Sequence, residues 1–162
     1  ALEDGLTGLP NRRAFDAALA DAATAAAAGG PSIALAMIDI DHFKRINDQW
    51  SHTTGDRAIV AVARALQSVC EGSEPPCRWG GEEFVLLLSG MDPATAQQRC
   101  EVLRATVESL DASHVAPGLL LTVSIGLALG PETDAERLLV RADTALRRAK
   151  RAGRNRVMVD SG

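Results

Sequence analysis

Helical and extended segments alternate along a chain of 162 residues, which predicts a mixed α/β domain; three stretches carry that prediction. Ile33-Ala34-Leu35-Ala36-Met37-Ile38-Asp39 is a continuous apolar run, the pattern of a strand buried on both faces. Gly80-Gly81-Glu82-Glu83 separates one short segment from the apolar Phe84-Val85-Leu86-Leu87-Leu88, which reads as a hairpin with acids at its tip. Ala135, Leu138, Leu139, Ala142, Ala145, Leu146 and Ala149 recur at helical spacing and define one apolar face.

In chain order, a helix is expected from Asn11 through the alanine tract to about Ala28, followed by the Ile33 to Asp39 strand. Helical segments continue to about Val69, and the hairpin is centred on Gly80-Gly81. Next come a helix from Pro93 to about Leu110, a strand from Leu119 to Leu129, a helix from Thr133 to about Arg151 and a closing strand from Arg156 to Val159. Arg137, Arg141, Arg147, Arg148 and Arg151 form the other side of the last helix. They read as a solvated face with cations suited to a helix C-terminus.

The composition, 46% hydrophobic and 23% charged without a linker or low-complexity tract, fits one domain spanning 1–162 around one core. The first residue is not methionine and recognisable motifs begin almost at once. The expectation is a catalytic domain excised from a longer protein with an upstream regulatory domain. No apolar segment approaches the roughly 20 residues that span a bilayer, and no signal peptide is present. A soluble, cytoplasmic domain without direct membrane contact is expected, whether or not the parent protein is anchored.

A net charge of -4, with three Phe, two Trp and no Tyr, argues against a nucleic-acid binder. No GxxxxGK[ST] motif occurs, so a Walker-type loop does not hold phosphates here. Cys70, Cys77 and Cys100 lack CxxC spacing and are expected as reduced thiols; a Cys70–Cys77 bridge is the weaker alternative. His42, His52 and His114 are too scattered for a zinc site.

The acids carry the chemistry. Taken alone, Gly80-Gly81-Glu82-Glu83 reads first as an ordinary β-turn with solvated carboxylates, its glycines free to adopt positive φ and to leave room for a ligand. Asp39 changes that reading, because an ionised aspartate at the end of a central strand is costly without a positive partner. If the two strands are neighbours, Asp39 and Glu82 meet. Carboxylates brought together suit a hard divalent cation, which takes oxygen ligands and bridges to substrate phosphates.

Five blocks in order, Leu6-Thr7-Gly8-Leu9-Pro10-Asn11-Arg12-Arg13-Ala14-Phe15, Asp39 to Asp48, Gly80 to Phe84, Ser124-Ile125-Gly126 and Ala149 to Asn155, resemble the GGDEF family of diguanylate cyclases over essentially the whole chain. The resemblance implies an α+β fold with a mainly antiparallel five-stranded central sheet wrapped by helices, like the nucleotidyl cyclases and the polymerase palm. It implies condensation of two GTP into cyclic di-GMP and two pyrophosphates across a homodimer of half-sites, with two Mg²⁺ (or Mn²⁺) ions in each. By the same resemblance, Asp39, the Ile40 carbonyl and Glu82 ligate metal, and Glu83 is a further ligand or the proton acceptor. The Phe43 backbone with Lys44, Lys150 and Arg154 contacts phosphates, and Asn47 and Asp56 select guanine. Read locally, Asn47 is equally a helix-terminating residue and Asp56 an N-cap after Gly55.

Two departures from the family pattern stand out. The inhibitory RxxD site is replaced by Glu71-Gly72-Ser73-Glu74, so no inhibitory product binding is expected there, and any feedback would act through the guanine pocket. Ser51 stands where glycine is usual before His52, close to that pocket, and Arg147 where tyrosine is common. The alternative function is a catalytically weak regulatory module that binds GTP or cyclic di-GMP. The intact Asp39, Glu82 and Glu83 and the missing RxxD both favour an enzyme. A scaffold without a ligand leaves the acids unexplained.

Overall fold

The structure is a computed structural model and describes residues 1–162. Its centre is strand β1 (Ile33–Ile40), all eight residues of which are buried. β1 pairs antiparallel with β3 (Glu83–Ser89) on one side and with β4 (Val123–Ala128) on the other. The two-residue β2 (Cys77–Arg78) pairs antiparallel with β3, and β5 (Val157–Asp160) runs parallel to β4. The order is β2-β3-β1-β4-β5, so the expected mainly antiparallel five-stranded sheet is present, with one parallel pair at its edge.

Strand alternation divides the core. Ala34, Ala36, Ile38 and Ile40 of β1, with Phe84, Leu86 and Leu88 of β3, pack on one face beneath α2 (Phe43–Gln49), α3 (His52–Val69) and α4 (Pro93–Glu108). Ile33, Leu35 and Met37, with Val85 and Leu87, pack on the other face beneath α1 (Arg12–Ala27) and α5 (Ala135–Arg151). Asp39 continues the second series, so it faces α5. Gly126 lets α5 approach β4: a Cβ there would lie 2.2 Å from the Ala142 carbonyl oxygen and the Leu146 nitrogen.

The side chains of Asn11, Ser51, Asp92 and Asp134 accept the N–H three residues on and cap α1, α3, α4 and α5. α2 differs. It begins after His42, in the left-handed region at φ 55, with no side-chain cap. Ser51 caps α3 from extended backbone at φ -176, a conformation open to any residue, which accounts for serine at that position.

Three expectations are corrected. The Leu119 to Leu129 segment is a strand only over Val123–Ala128; Leu119 instead closes a turn onto the Ala116 carbonyl at 3.2 Å. Asp56 is not an N-cap, since Ser51 holds that place and Asp56 lies in the body of α3. Neither Gly80 nor Gly81 takes a positive φ. All three cysteines are free and buried, as expected. No helix is long and apolar enough to cross a membrane.

Candidate active site

The end of β1 and the hairpin turn meet. Asp39 lies opposite Glu83 on β3 and Ser124 on β4, and the Ile40 N–H donates to the Glu82 carbonyl at 3.2 Å. Asp39, Ile40, Phe43, Lys44, Glu82, Lys150 and Arg154, each expected at the site, line one cavity of about 330 Å³. Glu83 stands beside it.

Asp39 is 5% exposed, and burial pushes its pKa up to about 6. Lys150, reaching back from the last turn of α5, donates to Asp39 Oδ2 and pulls the value down, while the Glu82 and Glu83 carboxylates push it up. Glu83 is also raised, first by burial, with Lys150 and Arg12 opposing and Glu82 and Asp143 adding to the shift. These acids are gathered faster than cations neutralise them.

No three His, Cys, Asp or Glu side chains converge as a ready metal cluster. Three carboxylate residues, Asp39, Asp41 and Glu82, line the cavity with Ile40, and Asp41 is already hydrogen-bonded to Thr122, Ser124 and the Asn155 N–H, which leaves Asp39, Glu82 and the Ile40 carbonyl as candidate donors. These are hard oxygen donors, and a buried aspartate held above its ordinary pKa favours a nearby cation. The set fits Mg²⁺, which fills its remaining positions with water and phosphate oxygens.

Basic residues also line the cavity: Lys44, Arg45, Lys150 and Arg154. Arg154 and Lys150 enter from the end of α5, and Arg154 also donates to the Lys150 carbonyl at 3.3 Å. The Arg45 and Ile46 N–H groups bond back to the His42 carbonyl, whereas those of Phe43 and Lys44 have no backbone partner. Uncapped N–H groups at a helix start suit an anion. The Lys44 ammonium turns to Asp48 at 3.0 Å, and both side chains are well exposed, so this pair is easily exchanged for a phosphate.

Asn47 and Asp56 are set apart from that cavity. Asn47 lies in the last turn of α2, with its Oδ1 buried and unpartnered. Gly55 lies beneath it, where a Cβ would come within 1.9 Å of that oxygen and 3.1 Å of the Phe43 ring. Asp56 is exposed and lines a second cavity of about 380 Å³ with Leu6, Thr53, Arg57, Val60 and His114.

The family described as "Diguanylate cyclase, GGDEF domain" matches residues 1–156. The chain belongs to the GGDEF domain family. It is 43% identical over 162 residues to diguanylate cyclase VdcA of Vibrio cholerae, a match covering 98% of this chain and 47% of that protein. It is 40% identical over 160 residues to diguanylate cyclase DgcP of Pseudomonas aeruginosa, covering 98% of this chain and 24% of that protein. The chain therefore spans half or less of these relatives. The solved GGDEF domain of DgcB from Caulobacter crescentus, in complex with c-di-GMP, superposes with a TM-score of 0.91 at 39% identity, covering 98% of this chain and 95% of that one. The cyclase-like, palm-like fold expected from the motifs is the fold found.

Four residues of this GGDEF domain escaped the sequence reading. Arg78 donates to the Gly80 carbonyl at 3.1 Å, to the Gly81 carbonyl at 2.7 Å and to both Asp4 carboxylate oxygens at 3.0 and 3.2 Å. Asp4 is fixed in turn by the Thr7 N–H and hydroxyl, both at 2.8 Å. The acidic turn is thus braced from the N-terminal segment; an Asp-x-x-Thr turn signal and an arginine two residues before the glycines were its traces in the sequence. Buried Asp41 accepts from Thr122, Ser124 and the Asn155 N–H. Gly55, the fourth, was passed over as a neighbour of Asp56.

Proposed function

We propose that this GGDEF domain is a diguanylate cyclase half-site that holds one GTP and, facing a second copy, condenses two GTP into cyclic di-GMP with release of two pyrophosphates. The observation that carries the reading is one cavity that Asp39, Ile40 and Glu82 share with Lys150, Arg154 and the uncapped start of α2. Hard oxygen donors and cations gathered in one cavity suit a metal-bound triphosphate. The relatives named as diguanylate cyclases support the same reading.

In this reading Asp39, the Ile40 carbonyl and Glu82 hold Mg²⁺, two ions per half-site. Bound there, the metal lowers the pKa of a 3′-hydroxyl and offsets charge on the leaving pyrophosphate. Lys44, Lys150, Arg154 and the Phe43 N–H hold the β- and γ-phosphates and leave the α-phosphorus facing the partner's 3′-hydroxyl. The attacking oxygen bonds to that phosphorus as the bond to pyrophosphate breaks. Glu83, raised above an ordinary glutamate, is suited to take the hydroxyl proton. Asp56 accepts from guanine N1–H and N2–H, which adenine does not present, and Asn47 completes the selection. Because each copy holds one GTP, an isolated copy is nearly inactive and dimerisation is the control point.

Exposed Glu71 and Glu74 occupy the inhibitory RxxD position, so any product feedback acts at the half-site itself. A GTP substrate places the domain on the cytoplasmic side. The unmatched length of the relatives supports a regulatory domain joined to this one. The test is chromatography of products from GTP and Mg²⁺ with the domain fused to a parallel dimerising coiled coil. Cyclic di-GMP from the intact protein and none from Glu82→Ala is expected. Saturable GTP binding without product would replace the cyclase with a GTP-binding regulatory module.

A further inference from the structure

The turn that carries Arg154 is strained. Arg154 and Asn155 are consecutive non-glycine residues in the left-handed region, at φ 65 and φ 44, directly after Gly153 at φ 127. Such backbone persists only where its surroundings fix it. Two side chains remote in sequence do so. Asp41, 6% exposed at the border of the cavity, accepts the Asn155 N–H at 2.9 Å while Thr122 and Ser124 hold its other lone pairs at 2.7 and 2.6 Å. Arg104 of α4, its side chain 15% exposed, donates to Asn155 Oδ1 at 2.9 Å. Asn155 in turn donates to Glu108. The other partners of Arg104 are Glu101 and Glu108 on its own helix, so Asn155 is its one hydrogen-bonded link outside α4.

We propose that Arg104 and Asp41 are positioning residues that hold the strained Arg154-Asn155 turn and so aim the Arg154 guanidinium at the nucleotide's phosphates. The proposal rests on the reading of Arg154 as a phosphate contact. Arg104 lies outside the cavity, and Asp41 borders it with its carboxylate taken up by Thr122, Ser124 and the Asn155 N–H, so each acts through the backbone that presents Arg154. The arrangement makes phosphate affinity depend on a helix that does not border the site, because Arg104 and Glu108 hydrogen-bond α4 to the turn at Asn155.

A merely structural role would weaken every ligand alike. The test is calorimetry with a GTP analogue carrying a methylene bridge between its α- and β-phosphates, and with GMP, both with Mg²⁺. The proteins are the intact domain, Arg104→Gln, Arg154→Ala and the double variant, with melting curves for each. Arg104→Gln is expected to weaken the triphosphate analogue about five- to tenfold, the scale of one ordinary net hydrogen bond, and to leave GMP within about twofold. In the Arg154→Ala background the Arg104 effect should vanish, since both act through one contact. Asn155→Gly, which relieves the left-handed strain and removes the side chain that Arg104 holds, should show the same triphosphate-selective loss and replaces Arg104→Gln in the cycle if that variant does not fold. Equal losses for both ligands, or additive losses in the double variant, overturn the proposal and leave Arg154 as a phosphate contact. An unchanged affinity in Arg154→Ala overturns both.

Discussion

Gly55 shows how much recognition turns on one absent methyl group. Its Cα lies under both the Asn47 amide and the Phe43 ring, so α2 approaches α3 closely only because position 55 has no side chain. Phe43 opens α2 at the charged cavity and Asn47 stands in its last turn. Gly55→Ala should therefore disturb both Asn47 and the Phe43 wall of the charged cavity while leaving Asp39, Glu82 and Lys150 in place. We expect GTP affinity to fall about tenfold or more and the preference for GTP over ATP to shrink, with an unchanged far-UV spectrum; competition binding measures both. Unaltered selectivity would show that α2 repacks without moving Asn47. Departures from the family pattern act differently. Ser51 serves as the cap of α3, and Arg147 pairs at 2.7 Å with Asp143 one turn back on an exposed stretch of α5. Neither disturbs a cavity wall.

At the level of elements, the site depends on how closely α5 lies against β4, since that contact delivers Lys150 to Asp39. Gly126 is the point of closest approach. A Cβ there would meet backbone atoms that have no rotamer to relax into, so Gly126→Ala should destabilise the domain toward the upper end of the roughly 1–3 kcal/mol of overpacking. Urea unfolding measures the loss, and weaker nucleotide binding in the remaining folded fraction should accompany it as Lys150 is carried away from Asp39. Most elements were legible in the sequence because their signals are periodic: β1 is apolar throughout, and α5 shows its stripe of Leu and Ala. Segment 119–122 misled because buried Leu119 and Leu121 flank exposed Leu120, an alternation that a turn and a strand share. The left-handed His42, Arg154 and Asn155 were not legible, because none is glycine, and Asn155 is held by Asp41 and Arg104, both distant in sequence. Pairwise features such as Arg78 with Asp4, or Arg104 with Asn155, leave no local pattern. Asp39, Glu82 and Lys150 were readable through their motifs, while their meeting required the register of three strands.

For the molecule as a whole, the site opposes stability. The buried Asp39 carboxyl titrates at about 6 against an ordinary 3.8, so the folded state binds its proton more tightly than the unfolded chain does. Below pH 3.8 both states are protonated and Asp39 costs nothing. As pH rises between these values the unfolded chain ionises first, stability falls, and above pH 6 the penalty is complete, up to roughly 3 kcal/mol. Asp39→Asn removes the charge and keeps the shape. Its former partner Lys150 has a side chain 34% exposed and can remain solvated. We expect the variant to melt higher than the unsubstituted protein at pH 8 without divalent cations, the gap to close toward pH 4, and GTP condensation in the dimerised form to be lost. Mg²⁺ should raise the melting temperature of the unsubstituted protein at pH 8 and not that of Asp39→Asn, because a cation at Asp39 offsets the penalty that the variant no longer carries. A variant that melts lower at pH 8 would mean that the Lys150 pair outweighs burial, and that the folded domain gains from its acidic site even before a nucleotide arrives.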